Sequence, residues 1–142
     1  MCHYCKIVSK QLPASIVYED DWSMAFLVIK PVTPGHVVVI PKKHVKSFVD
    51  LSDQEAGCLI NAIKRVDQAM QASDLACEAV SIYLGDGEEA GQEIDHIHVH
   101  VIPRFPDDKF IFSLDSNLVR FRGIAELEED AKKIRAGFKK IA

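Results

Sequence analysis

The segment "IDHIHVHVIPR", residues 94–104, decides how this chain is interpreted, because it holds three of the six histidines at every second position. Successive side chains on a β-strand point to opposite faces of the sheet. The three histidines on such a strand share one face, and the aliphatic residues between them share the other. The segment therefore predicts a strand over residues 97–103 that packs its aliphatic side against helices and leaves three imidazoles on the open face: His96, His98 and His100.

Three imidazoles in this register are too far apart to share one metal ion with ease. Residues two apart on a strand are separated by about 7 Å and residues four apart by about 13 Å, whereas zinc–nitrogen bonds are about 2 Å long. Three separate roles fit the spacing better. The middle residue, His98, can attack an electrophile with one ring nitrogen while a carbonyl oxygen holds its other N–H. Phosphorus suits such a nucleophile, since phosphoryl-type transfer depends mostly on positioning and charge stabilisation.

A glycine-rich segment, "GDGEEAGQ" at residues 85–92, comes directly before the histidines. Glycine lets backbone N–H groups turn inward and approach an anion closely. The acidic side chains of this segment would repel a phosphate, so we expect them to face solvent. The position favours a phosphate-binding loop, and a plain turn is the alternative.

The pattern C-x-x-C at Cys2 and Cys5 places two soft ligands on one tight turn. A closed tetrahedral zinc site needs two more ligands. The candidates are His3, His36, His44 and one histidine of the triad. A free dithiol is the alternative that the spacing leaves open. The other two cysteines, Cys58 and Cys77, are expected to pack in the apolar interior.

The rest of the chain predicts an α+β fold of one domain, residues 1–142, with a mainly antiparallel five-stranded sheet and helices packed on one face. Ser52 and Glu55 have the spacing of a capping box, which predicts a helix that starts at Ser52. Apolar residues at three-and-four spacing predict a second helix through residues 124–138. The other four strands are predicted at residues 15–19, 24–29, 36–41 and 79–84.

Composition and charge exclude several classes of partner. The net charge of −4 over 142 residues provides no basic surface for a nucleic-acid polymer, although a nucleotide needs only a few backbone N–H groups. No apolar run approaches the length of a membrane span, and residues 1–10 lack the apolar core of a signal peptide. We therefore expect a cytoplasmic protein without a membrane partner.

The segment "HIHVHVI", residues 96–102, resembles the motif of the histidine triad (HIT) family, in which three histidines alternate with apolar residues. The resemblance also covers "CKIVSKQLPASIVYEDD", "PVTPGHVVVIPKKHV" and "GEEAGQEIDHIHVHVIPR", and is nearest to the zinc-bearing, bacterial Hint-like branch. It implies a nucleotidyl hydrolase or transferase that acts on the α-phosphate of nucleotide conjugates, either nucleoside phosphoramidates or dinucleoside polyphosphates. A covalent nucleotidyl-histidine intermediate is part of that implied activity.

The resemblance also implies a role for individual residues, and a homodimer. His98 would be the nucleophile, and His100 would hold the phosphate and assist the leaving group. The residues expected to line the base pocket are Tyr4, Ile7, Phe26 and Ile29. Those expected at the phosphate are Gly91, Gln92 and Glu93. Those expected to bind a structural zinc ion beside the catalytic strand are Cys2, Cys5, His44 and His96.

Two positions depart from the family pattern. Val28 stands where an acidic residue usually binds the ribose hydroxyls, and Gly85 stands where an asparagine is usual. These departures motivate an alternative function, a nucleotide-binding regulatory module with little catalysis. A third interpretation is a redox or zinc-sensing protein centred on Cys2 and Cys5.

Overall fold

Five antiparallel strands form one sheet in the order β1-β2-β3-β5-β4. The structure, a computed structural model, describes residues 1–110 and 121–141. The chain divides into two compact units, Met1–Lys109 and Phe110–Ala142. The strands are β1 (Ile16–Glu19), β2 (Ser23–Leu27), β3 (Val37–Pro41), β4 (Ala79–Tyr83) and β5 (Val99–Arg104). The helices are α1 (His3–Val8), α2 (Asp53–Gln71) and, in the second unit, α3 (Ile124–Ile141).

The predicted α+β class and the antiparallel five-stranded sheet are confirmed. All five predicted strands and both predicted helices are present, with ends that differ by at most three residues. The C-x-x-C segment is the exception, because it forms the first turn of α1 rather than an isolated turn, with Cys2 as the N-cap. Among the described helices, none has both the length and the apolar character that a membrane crossing requires.

Strand alternation divides the apolar residues between the two faces of the sheet. Ala25 pairs with Val39, and Val39 pairs with Val99. All three belong to the cluster that α2 covers. Helix α2 contacts all five strands. The buried members of this cluster are Ala25, Val37, Val39, Leu59, Ala62, Ile63, Val66, Met70, Val99 and Val101.

A second, smaller cluster lies on the opposite face. There α1 packs Tyr4 and Ile7 against the residues of β2 and β3 whose side chains point away from α2. This face is therefore not left open near the N-terminus. The sequence predicted helices on one face of the sheet only, which holds for α2 but not for α1. The buried members of the second cluster are Tyr4, Ile7, Met24, Phe26, Val38 and Ile40.

The predicted capping box at the start of α2 is confirmed. The Ser52 hydroxyl accepts from the Glu55 backbone N–H at 3.2 Å, and the Glu55 carboxylate accepts from the Ser52 backbone N–H at 2.8 Å. Two N–H groups that the helix itself leaves without partners are satisfied in this way. These hydrogen bonds, with the Lys43 ammonium, lower the pKa of Glu55 to about 2.

Replacing Ser52→Ala removes the acceptor for the Glu55 N–H and is expected to lower the free energy of unfolding by about 1 kcal/mol. Ser52→Asp keeps an acceptor oxygen and should stay within a few tenths of the wild-type value. Urea unfolding of the three proteins checks this. Equal losses in both variants would show that the cap contributes nothing beyond the serine hydroxyl's own packing.

Candidate active site

The pairing of β3 with β5 brings a fourth histidine to the triad. Val38 pairs with His100 across the two strands, and His36 lies two residues before Val38 on the same face. The ring nitrogens Nε2 of His36 and Nδ1 of His100 are 2.9 Å apart. The rings of His98 and His100 are also adjacent, with centroids 5.1 Å apart. His100 lies on β5, while His36 and His98 directly precede β3 and β5, and the three histidines form one contiguous group.

The hydrogen bonds of this group determine where the protons lie on neutral His36 and His100. The Val32 backbone N–H donates to His36 Nδ1 at 3.1 Å, so a neutral His36 carries its proton on Nε2. That N–H donates to His100 Nδ1. A neutral His100 consequently carries its own proton on Nε2, where it can donate to a ligand.

His98 is held in the opposite tautomer. Its Nδ1–H donates to the carbonyl oxygen of His96 at 2.8 Å, which leaves an electron pair on Nε2. Among the residues that the structure describes, nothing hydrogen-bonds to this nitrogen. The His98 side chain is buried, with 7% of its surface exposed. The prediction of one nitrogen held by a carbonyl oxygen is confirmed as a geometry, whereas the expected exposure is wrong.

Only His100 of the triad lies on β5, because His98 directly precedes the strand and His96 lies in the bend before it. Strand β5 begins at Val99, and the Ile97 N–H donates instead to the Val45 carbonyl oxygen at 2.7 Å. His96 is fully buried, and its Nε2–H donates to the carbonyl oxygen of Pro41 at 2.8 Å. The three histidines are thus not on one open strand face. The bend before Val99 separates His96 from the pair formed by His98 and His100.

The bend directs His96 toward the cysteines of α1. Its Nδ1 lies 3.4 Å from the Cys2 sulfur and 3.6 Å from the Cys5 sulfur. The Cys5 sulfur is 3.2 Å from His44 Nδ1, and the two sulfurs are 3.0 Å apart. Of the histidines that the sequence offered as ligands, His44 and His96 join the cysteines, whereas His3 and His36 lie elsewhere.

These four donor atoms have the chemistry and spacing of a tetrahedral metal site. All of them lie within 4.8 Å of one another. With metal–ligand bonds of about 2.0–2.3 Å, the edges of a zinc tetrahedron with sulfur and nitrogen ligands are roughly 3.3–3.8 Å. Because His96 Nε2–H donates to the Pro41 carbonyl oxygen, the Nδ1 lone pair is available to a metal, as in many metal sites where a carbonyl orients the histidine. The residues therefore fit a zinc ion.

The predicted base-pocket residues line one cavity of about 650 Å³, and His98 is not among the residues of its wall. The Tyr4 ring connects them, because its centroid is 5.3 Å from that of His98 and 5.4 Å from that of Phe26. Val28 is also part of the wall, and none of the lining residues carries a carboxylate. The cavity is lined by His3, Tyr4, Ile7, Pro13, Ala14, Ser15, Phe26, Leu27, Val28, Ile29, Lys30, Val38 and Ile94.

The glycine-rich loop is braced from within. The Gln92 side chain accepts from the Gly87 N–H and donates to the carbonyl oxygens of Lys46 and Ile94. The N–H groups of Gly91 and Gln92 donate to carbonyl oxygens of the same loop. Of the three residues predicted at the phosphate, only Glu93 has a backbone N–H without a partner among the described residues. The acidic side chains Asp86, Glu88 and Glu89 are exposed, as expected.

Sequence reasoning missed the position of His36, which it considered only as a metal ligand. A signal was present, because His36 alternates with Val38 and Ile40 and so shares their face of β3. The strand order was needed to place that face beside the triad. It also missed Tyr83, whose hydroxyl donates to the Ala90 carbonyl at 2.6 Å and whose ring lies 6.0 Å from that of His100.

Comparison with known proteins agrees with this geometry. The family model described as HIT domain matches residues 9–107. The chain belongs to the HIT family. A HIT-like protein of Borreliella burgdorferi is 41% identical over 118 residues, which cover 82% of this chain and 85% of that one. The adenosine 5'-monophosphoramidase of Schizosaccharomyces pombe is 34% identical over 109 residues, 77% of each chain.

Solved structures of HIT proteins share the fold. A Streptococcus mutans protein superposes with a TM-score of 0.88 at 34% identity, over 96% of this chain and 85% of that one. A Zn-bound histidine triad family protein from Mycobacterium smegmatis has a TM-score of 0.75 at 37% identity, over 80% of this chain and 82% of that one. The fold of the family is therefore shown for this chain.

Burial favours the neutral form of three imidazoles in this HIT protein, those of His36, His96 and His100. Burial, and then the nearby His98 and His36, lower the pKa of His100 to about 4. Burial also lowers the pKa of His36. For His96, burial is the largest of several influences, and the pKa is again lowered. His36 and His100 are consequently uncharged at neutral pH, which matches the hydrogen-bonded tautomers described above.

Acid is expected to destabilise the HIT fold through His100. Its folded pKa of about 4 lies below the value of about 6.5 in an unfolded chain. The unfolded state therefore binds the proton more readily, so this contribution to stability is complete above about pH 6.5 and is lost as the pH falls toward about 4. The free energy of unfolding of wild type should fall more steeply over this range than that of His100→Gln, by at most about 1.4 kcal/mol per pH unit.

Urea unfolding at several pH values measures both slopes. His100→Gln is a matched control because the amide oxygen can still accept from His36 while the titrating group is gone. All other titrating groups, including the cysteine–histidine cluster, remain in both proteins. Identical slopes would contradict the assignment of a neutral His100.

Proposed function

We propose that this protein is a hydrolase of nucleotide conjugates that acts on the α-phosphate, with His98 as the nucleophile. Phosphoramidates of nucleosides and dinucleoside polyphosphates are the substrate classes. The observation that carries the proposal is the hydrogen bond from His98 Nδ1–H to the His96 carbonyl oxygen, 2.8 Å long. It leaves the electron pair of Nε2 unprotonated, and the Tyr4 ring that contacts His98 also lines a cavity large enough for a nucleoside.

Two S. pombe relatives support the choice of substrate. One is the phosphoramidase described above. The other is the asymmetrical bis(5'-nucleosyl)-tetraphosphatase, 35% identical over 104 residues, which cover 70% of this chain and 57% of that one. Both names describe cleavage of a nucleotide conjugate at phosphorus, which is the bond that an imidazole nucleophile in this position would attack.

The base of the nucleotide enters the cavity between Tyr4 and Phe26, with Ile7 and Ile29 against it. The backbone N–H of Glu93 donates to the phosphate, and the loop glycine Gly91 lets the chain turn there with a φ of +83°. Helix α1, strand β2 and the three residues that follow β2 provide most of this wall. The apolar wall suits a planar base, whose burial provides affinity without a charged partner.

Attack by His98 Nε2 forms a nitrogen–phosphorus bond as the bond from phosphorus to the leaving group breaks. The leaving amine or nucleotide departs with its bonding electrons, and an amine also gains a proton, which the attacking water releases again in the second step. The ring of His98 becomes cationic in this step. Its Nδ1–H, already bonded to the His96 carbonyl oxygen, then stabilises the positive charge because a hydrogen bond from a charged donor is stronger. Water next attacks the same phosphorus, breaks the bond to His98 and releases the nucleoside monophosphate.

His100 serves as a neutral donor throughout. Its Nε2 proton is directed outward by the chain from Val32 through His36. This N–H donates to a phosphate oxygen, or to the leaving group as the bond to phosphorus breaks. Preorganised donors of this kind are already oriented before the reaction, so they lower the barrier without a reorganisation cost.

We further propose that Cys2, Cys5, His44 and His96 bind a structural zinc ion. The donor spacing and the Zn-bound relative from M. smegmatis support it. Such an ion would fix α1 against the segment that contains His96. The carbonyl oxygen of His96 holds the catalytic imidazole, so the metal site would position His98 indirectly. The homodimer and the cytoplasmic location stay predictions.

The nucleophile assignment predicts that His98→Ala lowers kcat on a fluorogenic nucleoside phosphoramidate by at least about 10³-fold, as when a nucleophile is removed from other hydrolases. Rapid quenching of wild type during turnover, followed by peptide mass spectrometry, should locate a nucleotidyl adduct on His98. His100→Ala should still form the adduct, but more slowly, because its nucleophile is intact.

Turnover by His98→Ala equal to that of wild type would exclude the assignment. A calorimetric titration with nucleoside monophosphate distinguishes this hydrolase from the alternative function. Tight binding by a wild-type protein that turns over none of the conjugates would favour a nucleotide-binding regulatory module.

The zinc proposal predicts about one zinc ion per purified chain, because a closed four-ligand site binds tightly. Cys5→Ser removes a thiolate ligand and should lower both the zinc content and the melting temperature. Cys58→Ser and Cys77→Ser are matched controls, since neither thiol belongs to the cluster, and both should retain the metal. Elemental analysis and thermal melts measure these effects. Metal-free wild type with a reversible Cys2–Cys5 disulfide would instead favour the redox interpretation.

A further inference from the structure

The cavity above Tyr4 and Phe26 contains one lysine that the proposed mechanism does not use. Lys30 lies in the cavity wall and is exposed. The described residues that line the cavity include this ammonium group but no carboxylate. We propose that the cavity prefers nucleotide conjugates whose ribose carries a second phosphate group, at its 2' or 3' position, and that Lys30 binds this group. The inference rests on the proposed function, because it names the substrate class of the same site.

The segment that carries Lys30 is attached at both ends to His36. The Val28 N–H donates to the His36 carbonyl oxygen at 3.0 Å, and the Val32 N–H donates to His36 Nδ1 at 3.1 Å. The imidazole of His36 donates in turn to His100, the residue proposed to hold the α-phosphate. Lys30 is therefore the middle residue of a segment that is fixed next to the phosphate end of the cavity.

The sheet determines where the sugar of a bound nucleotide lies. Phe26 pairs with Val38, and Val38 pairs with His100, so these three residues form one row across the sheet. The ribose links the base to the α-phosphate. With the base at Phe26 and the phosphate at His100, the ribose lies over Val38, which lines the cavity.

Only one side of this row has space for a group attached to the sugar. On one side the buried side chains of Ile40 and Tyr4 fill the adjacent space. On the other side the next row is formed by Val28 and His36, which are hydrogen-bonded through their backbones. A substituent on the ribose therefore extends over Val28, toward Lys30 two residues further along the chain.

The chemistry of that side suits a phosphate better than free hydroxyl groups. A hydroxyl donates its proton most strongly to a carboxylate, whereas Val28 offers an apolar surface. A phosphate monoester carries a charge of about −1.5 to −2 at pH 7 and has acceptor oxygens, and a lysine ammonium supplies donors on a flexible stem. Among the described residues, nothing hydrogen-bonds or forms an ion pair with Lys30, so its donors are available.

The neighbouring acidic side chains line a different cavity. Glu93 directly precedes Ile94, which lines the base cavity. Yet Glu93 and Glu88 belong to the wall of a separate cavity of about 500 Å³ along the glycine-rich loop. Their negative charge therefore falls on the loop and not on the wall that contains Lys30, where it would repel a phosphate on the sugar.

Calorimetric titration of the full chain with four adenosine nucleotides tests the inference without requiring turnover. The probes are the 5'-monophosphate, the 2',5'- and 3',5'-bisphosphates, and the 5'-diphosphate. At least one bisphosphate should bind about tenfold more tightly than the monophosphate, since a hydrogen bond between charged groups contributes roughly that factor. The 5'-diphosphate carries its second phosphate away from the ribose hydroxyls and should gain much less.

Two results of these titrations would overturn the inference. One is equal affinity for the monophosphate and both bisphosphates. The other is an equal gain for the 5'-diphosphate, because the second phosphate would then be bound on the side of the leaving group rather than at the ribose.

Variants of Lys30 show whether its charge is responsible. Lys30→Gln removes the charge and should reduce the preference for the bisphosphate to about twofold or less, whereas Lys30→Arg keeps the charge and should retain most of it. Lys64→Gln is the matched control, because it makes the same change in net charge on α2, which covers the opposite face. It should leave every affinity unchanged. A preference that survives Lys30→Gln would contradict the assignment.

A second pair of variants tests the charge of the wall beside the sugar. Val28→Asp places a carboxylate there and should abolish the preference for the bisphosphate by repulsion. Val28→Asn introduces a side chain of the same size without charge and should keep the order of affinities. Val28 is partly buried, so circular dichroism is used to verify that both variants fold. Equal loss of the preference in both would show that charge is not what selects the ligand, and the inference would be wrong.

Turnover distinguishes failure of this inference from failure of the proposed function. Adenosine 5'-phosphoramidate is compared with the same compound carrying the ribose phosphate that binds best, and the phosphorylated compound should have the higher kcat/KM. Faster cleavage of the unphosphorylated compound would leave the hydrolase standing and overturn the ribose preference. Cleavage of neither, with bisphosphate binding that depends on Lys30, would refute the hydrolase and support the ribose-phosphate site.

Discussion

The antiparallel pairing of β3 with β5 is the constraint on which the rest of the structure depends. Its register, with Val38 opposite His100, joins the first three strands to the segment that carries the triad. On one face it completes the apolar surface that α2 covers. On the other face it brings His36 within hydrogen-bonding distance of His100. A shift of one residue would exchange the two faces and separate both sets of contacts.

A second constraint acts on the residues just before β5. The Ile97 N–H donates to the Val45 carbonyl oxygen, and the His96 ring donates to the Pro41 carbonyl oxygen. Together these two hydrogen bonds turn the segment out of the sheet. The turn gives one short segment two functions. It directs the His96 side chain to the cysteines, and it aims the His96 carbonyl oxygen back at His98. The proposed metal site and the proposed nucleophile are therefore adjacent in sequence, and they use different atoms of His96.

Alternation in the sequence was sufficient to predict much of the sheet. The period of two correctly assigned Val99 and Val101 to the helix-covered face and His100 to the other. The same rule failed at His96, because periodicity assumes that a strand continues and cannot detect a hydrogen bond from a distant segment such as residues 41–45. A local sequence pattern does not predict the order of strands in a sheet either. The contact between His36 and His100 was therefore evident only from the pairing of β3 with β5.

Burial of the histidines was the other feature that local pattern could not supply. The open face was expected to expose them, but α1 packs Tyr4 against both His96 and His98. The sulfur atoms of Cys2 and Cys5 contact the rings of His96 and His44. These contacts keep the short helix α1 over the sheet. Desolvation lowers the pKa of His36, His96 and His100, and the uncharged His100 keeps the tautomer whose Nε2–H is free to donate.

The departure at Gly85 has a physical reason in the loop itself. A Cβ at this position would lie 2.5 Å from the Ala90 carbonyl oxygen and 3.2 Å from the Tyr83 hydroxyl. These two groups are hydrogen-bonded to each other, so they occupy the space that a larger residue would need. Tyr83 thereby ties the loop to β4, beside the ring of His100. The missing side chain is thus part of how this loop closes, and Val28, in the cavity wall, is the departure that bears on what the cavity accepts.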